Sequence, residues 1–231
     1  MIEIKGLNQL YGGTQILWDI NMEIKTGTCT CIMGRNGVGK TTLLKVMMGL
    51  LPAKTGEILL DGSNILPLAA ERRARLGIGY VPQGRDIFPQ LTVEENLRIG
   101  LGARADKSRE IPAKIFKLFP VLDDMRKRRG GDLSGGQQQQ LAIGRALVIG
   151  PKVLILDEPN EGIQPNIVQQ IGDVITLLKE EEGMTIVLVE QKLGFARRVG
   201  DEFRLMERGH VLAQGTMAEL TDGLISQHLA V

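Results

Sequence analysis

From Trp18 to Ile24 apolar and polar residues alternate, with Trp18, Ile20, Met22 and Ile24 on one side and Asp19, Asn21 and Glu23 on the other. A period of two belongs to a strand with one wet face, so the chain is expected to open on a β region. Thr28–Met33 follows as a short apolar strand, Gly34–Gly39 as a glycine-rich loop, and Thr41–Met48 as a helix stopped by Gly49 and Pro52. Gly56–Leu60 with the turn Asp61-Gly62 reads as a hairpin, and Gly77–Val81 as a strand ended by Pro82.

Beyond Pro82 the periodicity changes. Thr92 can cap a helix, with Glu95 reaching back to it, and helical patterning broken by loops continues to Ile149. Residues 85–150 are therefore expected to form a helical insertion between core segments 1–84 and 151–231. Val153–Leu156 and Thr185–Val189 are continuous apolar runs, the mark of parallel strands buried on both faces. Between them Ile167, Ile171, Val174, Ile175 and Leu178 recur at helical spacing, and the tail from Phe203 turns at Arg208-Gly209 as a hairpin before a short helix. Strands alternating with helices predict one α/β domain: a mostly parallel sheet with helices packed on it, an N-terminal antiparallel β region and the helical insertion. No internal repeat is evident.

Composition narrows the function classes. The chain has 231 residues, 43% of them apolar and 24% charged, which is ordinary globular usage. Its 28 basic and 27 acidic residues leave a formal charge of +1, without the positive field that non-specific nucleic-acid binding needs. Any polyanion it holds is expected to be small. No apolar stretch approaches the ~20 residues that span a bilayer, and no secretory pattern is visible from Met1 to Lys5, so a cytoplasmic location is expected. Cys29 and Cys31, the only cysteines, would point to one face of a strand as small core residues. Arg126-Lys127-Arg128-Arg129 reads first as a solvated charge run, with lipid head groups or partner carboxylates as the alternative faces.

Chemistry concentrates in two places. Gly34-Arg35-Asn36-Gly37-Val38-Gly39-Lys40-Thr41 matches the phosphate-binding loop, after a strand and opening a helix. Its glycines let successive N–H groups face one anion, with the positive end of the helix behind them. Lys40 would reach the β and γ phosphates, and the Thr41 hydroxyl would ligate Mg²⁺. Val153-Leu154-Ile155-Leu156-Asp157-Glu158 then supplies a buried strand ending in two carboxylates: Asp157 to orient Mg²⁺ and Glu158 to polarise the water that attacks the γ-phosphate.

Leu133-Ser134-Gly135-Gly136-Gln137 resembles the signature motif of ATP-binding cassette (ABC) ATPases, although Ser134 and Gln137 also fit a helix capping box. The resemblance covers essentially the whole chain. It implies a P-loop NTPase core, and a signature segment that completes the site of a partner subunit, so that two chains sandwich two ATP molecules. It also implies that Thr42 belongs to the nucleotide site, that Gln83 touches Mg²⁺ and senses the γ-phosphate, and that Tyr11 stacks on adenine. Two positions depart from the family pattern. Gln191 stands where a histidine contacts the γ-phosphate, and it can donate a hydrogen bond but cannot become a cation. Gln164 replaces the customary aspartate of the dimer-contact loop.

Val81–Pro89, Leu91–Leu97 and Val189-Glu190-Gln191 look like the ATPase subunits of bacterial branched-chain amino acid and amide importers. The run Gly135–Leu147 and Glu161–Pro165 look most like the urea-uptake member. The resemblance implies an energy-coupling ATPase on the inner face of a membrane, with a second ATPase subunit and permease subunits as partners, no nucleic acid and no direct contact with cargo. Two other readings stand beside it: a cassette ATPase working on DNA or ribosomes, and an ATP-gated dimerisation module with little catalysis.

Overall fold

The computed structural model describes residues 1–228, and its strands fall into two sheets. The first is antiparallel: β1 (Ile2–Tyr11), β2 (Thr14–Ile24), β4 (Thr55–Leu60) and β5 (Ser63–Asn64), in the order β2-β1-β4-β5. The second contains β3 (Cys29–Met33), β6 (Ile78–Val81), β7 (Val153–Asp157), β8 (Thr185–Val189), β9 (Glu202–Glu207) and β10 (His210–Thr216), in the order β10-β9-β3-β8-β7-β6. Its neighbours run parallel except for the final hairpin of β9 and β10.

Every residue of β3, β7 and β8 is buried, which requires cover on both faces of that sheet. Two cores provide it. Cys29, Cys31, Leu154, Leu156, Ile186 and Leu188 face one, together with α6 (Gly135–Val148), α7 (Pro165–Glu182) and α8 (Leu193–Val199). Ile32, Ile155, Val187 and Val189 face the other, with the antiparallel sheet and α1 (Lys40–Met47). The two cysteines are thus free thiols filling one face of a strand, as their spacing implied.

α2 (Ala70–Arg75) precedes β6, and between β6 and β7 the regular elements are helical: α3 (Val93–Gly100), α4 (Ala113–Leu118), α5 (Pro120–Asp124), α6 and two short 3₁₀ turns. α3 begins at the expected capping box, Thr92 N donating to Glu95 Oε2 at 2.7 Å and Glu95 N to Thr92 Oγ1 at 3.2 Å. The Arg126–Arg129 run lies at the surface, with the Arg126 guanidinium over the Phe116 ring at 3.9 Å. The chain closes with α9 (Asp222–His228). Both expected hairpin turns form: Asp61 and Gly62 take φ 50° and 80° between the paired Leu60 and Ser63, and Arg208 and Gly209 take 46° and 81° between Glu207 and His210.

One expectation is corrected. Trp18 does not share the buried face of Ile20, Met22 and Ile24; it is 44% exposed and stacks on His210 with ring centroids 6.1 Å apart. Leu7 pairs with Ile20 and Gln9 with Leu17, so Trp18 and Asp19 together oppose the single residue Asn8. Asp19 turns to φ 44° in this bulge, and the extra residue reverses the inside–outside phase, burying Leu17 instead.

Candidate functional site

β3 runs up the middle of the parallel sheet and delivers the chain into Gly34–Gly39. Gly34 sits at φ 152° against β9, where a Cβ would lie 2.4 Å from the Met206 carbonyl oxygen; no other residue type fits. Gly39, at φ 106°, is the N-cap of α1, and no side chain caps that end. The first N–H groups of α1 are therefore open to an anion.

Lys40, 5% exposed, folds back over the loop, where its Nζ donates to Gly34 O at 2.8 Å and Arg35 O at 2.9 Å. The same Nζ stands 3.9 Å from Glu158 Oε1. Burial pulls the Lys40 pKa down, and the charges of Glu158 and Asp157 oppose that fall. A buried ammonium close to two carboxylates, on a loop of open N–H groups, is arranged for a phosphate.

Asp157 ends β7 at 1% exposure, and among the described residues neither carboxylate oxygen has a partner at ordinary hydrogen-bond geometry, although the Thr41 hydroxyl is near enough to favour its charged form. Burial pushes its carboxyl up to about 6. An unpartnered buried carboxylate is costly, and a cation would relieve that cost. Glu158 follows at φ 48°, its N–H held by Val189 O at 2.9 Å. Its Oε1 accepts from Gln191 Nε2 at 2.5 Å, and Gln191 Nε2 also donates to Asn36 Oδ1 at 2.7 Å. Gln191 thus links the phosphate loop to the carboxylate after β7. Gln83, just past β6, donates to Glu161 Oε2 at 2.9 Å.

A cleft of about 730 Å³ gathers Asn36, Gly37, Gly39, Lys40, Thr41, Thr42, Gln83, Glu158 and Gln191. Gly34, Arg35 and Val38 shape the loop without lining the cleft, and Asp157 lies buried behind it. Tyr11, expected to stack on adenine, is exposed at the end of β1 and does not line the cleft. Ser134, Gly135, Gly136 and Gln137 are also outside it. They form the start of α6, where Ser134 N donates to Gln137 Oε1 at 2.9 Å and Gln137 N to Ser134 Oγ at 3.4 Å. Four lining residues were not anticipated: Ile16, Glu161, Glu190 and Lys192. Glu190 carried a physical signal, as a carboxylate placed directly after the apolar run Ile186–Val189, whereas Glu161 figured only in a resemblance.

The oxygen donors suit a hard cation. Among the described residues no group of three or more His, Cys, Asp and Glu converges to hold a metal alone. One carboxylate, a hydroxyl and a carboxamide completed by phosphate oxygens is the kind of set that Mg²⁺ accepts.

An anion-binding loop between a buried parallel strand and a helix, a lysine folded across it, and an acidic pair at the end of β7, two strands away in the same sheet, define a phosphate-loop nucleoside triphosphatase. The model of the family described as ABC transporter matches residues 17–161. The high-affinity branched-chain amino acid transport ATP-binding protein of Pseudomonas aeruginosa is 40% identical over 222 residues, covering 95% of this chain and 94% of its own. A probable branched-chain amino acid transport ATP-binding protein of Archaeoglobus fulgidus is 39% identical over 225 residues, covering 96% and 94%. Among solved structures, a dimeric post-hydrolysis ATP-binding cassette bound to ADP and Pi superposes with a TM-score of 0.84 at 27% identity, over 94% of this chain and 99% of that one. The chain belongs to the ABC transporter family and is an ATPase of its nucleotide-binding kind. Among the described residues no helix is long and apolar enough to cross a membrane.

Proposed function

We propose that the chain powers an importer of branched-chain amino acids or related amides, urea among them, by hydrolysing Mg-ATP in the cleft above the phosphate loop. Glu158 orients and deprotonates the attacking water, and Gln191 holds that carboxylate while sensing the γ-phosphate. Lys40 and the open N–H groups of Gly34–Thr42 bind the phosphates. Thr41, Gln83 and Asp157 would hold Mg²⁺, which would supply positive charge against the phosphates. Tyr11 is assigned the adenine face.

The observation that carries the reading is the meeting of Lys40, Glu158 and Gln191 within hydrogen-bond or ion-pair reach at one loop. The position of Ser134–Gln137 outside the cleft favours a second step. This segment serves the ATP of a partner ATPase subunit, the same chain or a similar one, and residues 85–150 act as the lobe that carries it. γ-Phosphate contact would then close two protomers, and hydrolysis would loosen them. The amino acid transporters at 39–40% identity support the cargo class and a seat beside permease subunits on the inner membrane face. The urea branch rests on the resemblance of Gly135–Leu147 and Glu161–Pro165 alone.

Glu158→Gln tests the chemistry. It should keep ATP binding and lose at least ~100-fold in hydrolysis, the scale of a positioned catalytic group. Unchanged turnover would remove Glu158 as the base. Uptake of labelled leucine and of labelled urea, in cells with and without the chain, separates the cargoes.

A further inference from the structure

Glu190 is 3% exposed, and among the described residues no ion pair neutralises it. Its Oε1 accepts from Gln191 N at 2.8 Å and from Lys192 N at 2.8 Å. Its Oε2 accepts from Asn160 Nδ2 at 2.7 Å. Asn160, fully buried, sits two residues after Glu158, and its carbonyl accepts from Lys192 Nζ at 3.1 Å. The loop after β7 and the loop after β8 are thus fastened twice, side chain to side chain by Asn160 and Glu190 and side chain to backbone by Lys192 and Asn160. The fastening lies directly beneath the pair that meets in the cleft, Glu158 and Gln191.

We infer that this Asn160–Glu190 bracket is the positioning device that sets Gln191 at hydrogen-bond distance from Glu158. The inference rests on the assignment of Glu158 as the base. Apart from the bracket and the flexible Lys192 side chain on Asn160 O, the two loops are tied at their starts, by Glu158 N to Val189 O at 2.9 Å and Glu190 N to Ile32 O at 3.3 Å. Those bonds fix where the loops leave the strands but not the angle between their tips. The bracket fixes that angle, because a carboxylate accepting three N–H bonds in a buried setting is strongly held in place.

The polarity of the bracket makes the test specific. One oxygen of Glu190 serves both backbone donors, and the other serves Asn160 alone. Asn160→Asp sets two carboxylates face to face and breaks the bracket. Glu190→Gln alone is tolerated better, because the Asn160 amide can turn over and present its free Oδ1. In the double variant, Glu190→Gln with Asn160→Asp, the new amide donates to the new carboxylate while its oxygen keeps the backbone bonds.

Steady-state ATPase of the purified full chain is expected to show kcat at least ~10-fold lower for Asn160→Asp, against the ~100-fold that a 1 Å misplacement of reacting groups can cost. The KM for ATP should stay within about threefold, since the phosphate loop is untouched. The double variant should recover most of the lost kcat. Asn160→Ala, which deletes the bond without repulsion, should lose ~3- to 10-fold in kcat and serves if the aspartate variant does not fold, as thermal melts and binding of a fluorescent ATP analogue will tell. A packing role alone would not be restored by reversing donor and acceptor. Unchanged kcat in Asn160→Asp, or a double variant no better than Asn160→Asp, overturns the bracket. Glu158→Gln run alongside keeps the questions apart: if it stays inactive while the bracket variants turn over normally, only the bracket is lost, and if it turns over normally, the base assignment is lost.

Discussion

Gln191 reaches across from the loop after β8, and its Nε2 meets Glu158 Oε1 at 2.5 Å. Where the ABC family carries a histidine, a neutral amide makes this contact, and its second bond to Asn36 Oδ1 at 2.7 Å ties the carboxylate to the phosphate loop. A hydrogen bond to a charged group contributes about 1.5–3 kcal/mol. Gln191→Ala should therefore lower kcat roughly 10- to 150-fold, with a smaller change in KM, in a steady-state ATPase assay.

Gln191→His carries a different expectation. The amide does not titrate, whereas imidazole does so near pH 6.5. The kcat profile of the histidine variant should gain an inflection within about one pH unit of that value, absent from the parent protein. Parallel profiles for the two proteins would mean that residue 191 does not govern the reacting carboxylate.

Asp157 makes the unliganded protein sensitive to pH. Its carboxyl is pushed by burial from the ordinary 3.8 up to about 6, so the folded chain holds the proton more tightly than the unfolded chain. The stability contribution is complete below about pH 3.8 and is lost as pH rises through about 6. Its size is on the order of 3 kcal/mol. Thermal melts without nucleotide should find Asp157→Asn level with the parent near pH 4 and more stable above pH 6. Adding Mg-ATP at pH 7 should reverse that order, because only the carboxylate gains a cation.

Arg73 is a structural counterpart to these polar groups. It is 2% exposed, and its guanidinium donates to Leu66 O at 2.7 Å, Val46 O at 2.7 Å, Met47 O at 2.8 Å and Leu68 O at 2.9 Å. Two of those carbonyls close α1, the helix that the phosphate loop opens. Lysine lacks the fork to reach all four. Both Arg73→Lys and Arg73→Leu should destabilise the fold by on the order of 3 kcal/mol. In a melting experiment that is roughly 6–12 °C in Tm.

The bulge in β2 predicts opposite outcomes at adjacent positions. Leu17 is fully buried and Trp18 is 44% exposed. Leu17→Ala should cost about 2–5 kcal/mol in denaturant unfolding. Trp18→Ala, which removes a surface stack on His210, should cost about 1 kcal/mol or less. A larger loss at Trp18 than at Leu17 would mean the strand keeps a regular phase.

Local chemistry written along the chain was enough to determine the phosphate loop, the acidic end of β7, the capped starts of α3 and α6, and the turns at Asp61-Gly62 and Arg208-Gly209. Each depends on residues a few positions apart, where backbone preference and side-chain reach decide the outcome. The order of strands in the parallel sheet, the phase reversal at Asp19, the four carbonyls around Arg73 and the Asn160–Glu190 bond belong to tertiary structure alone. Asn160 and Glu190 are 30 positions apart and touch only because β7 and β8 are neighbours, so that the loops leaving them must share the same buried space. A burial environment assembled from distant segments has no local pattern, which is why the Asn160–Glu190 bond emerged only from the folded chain.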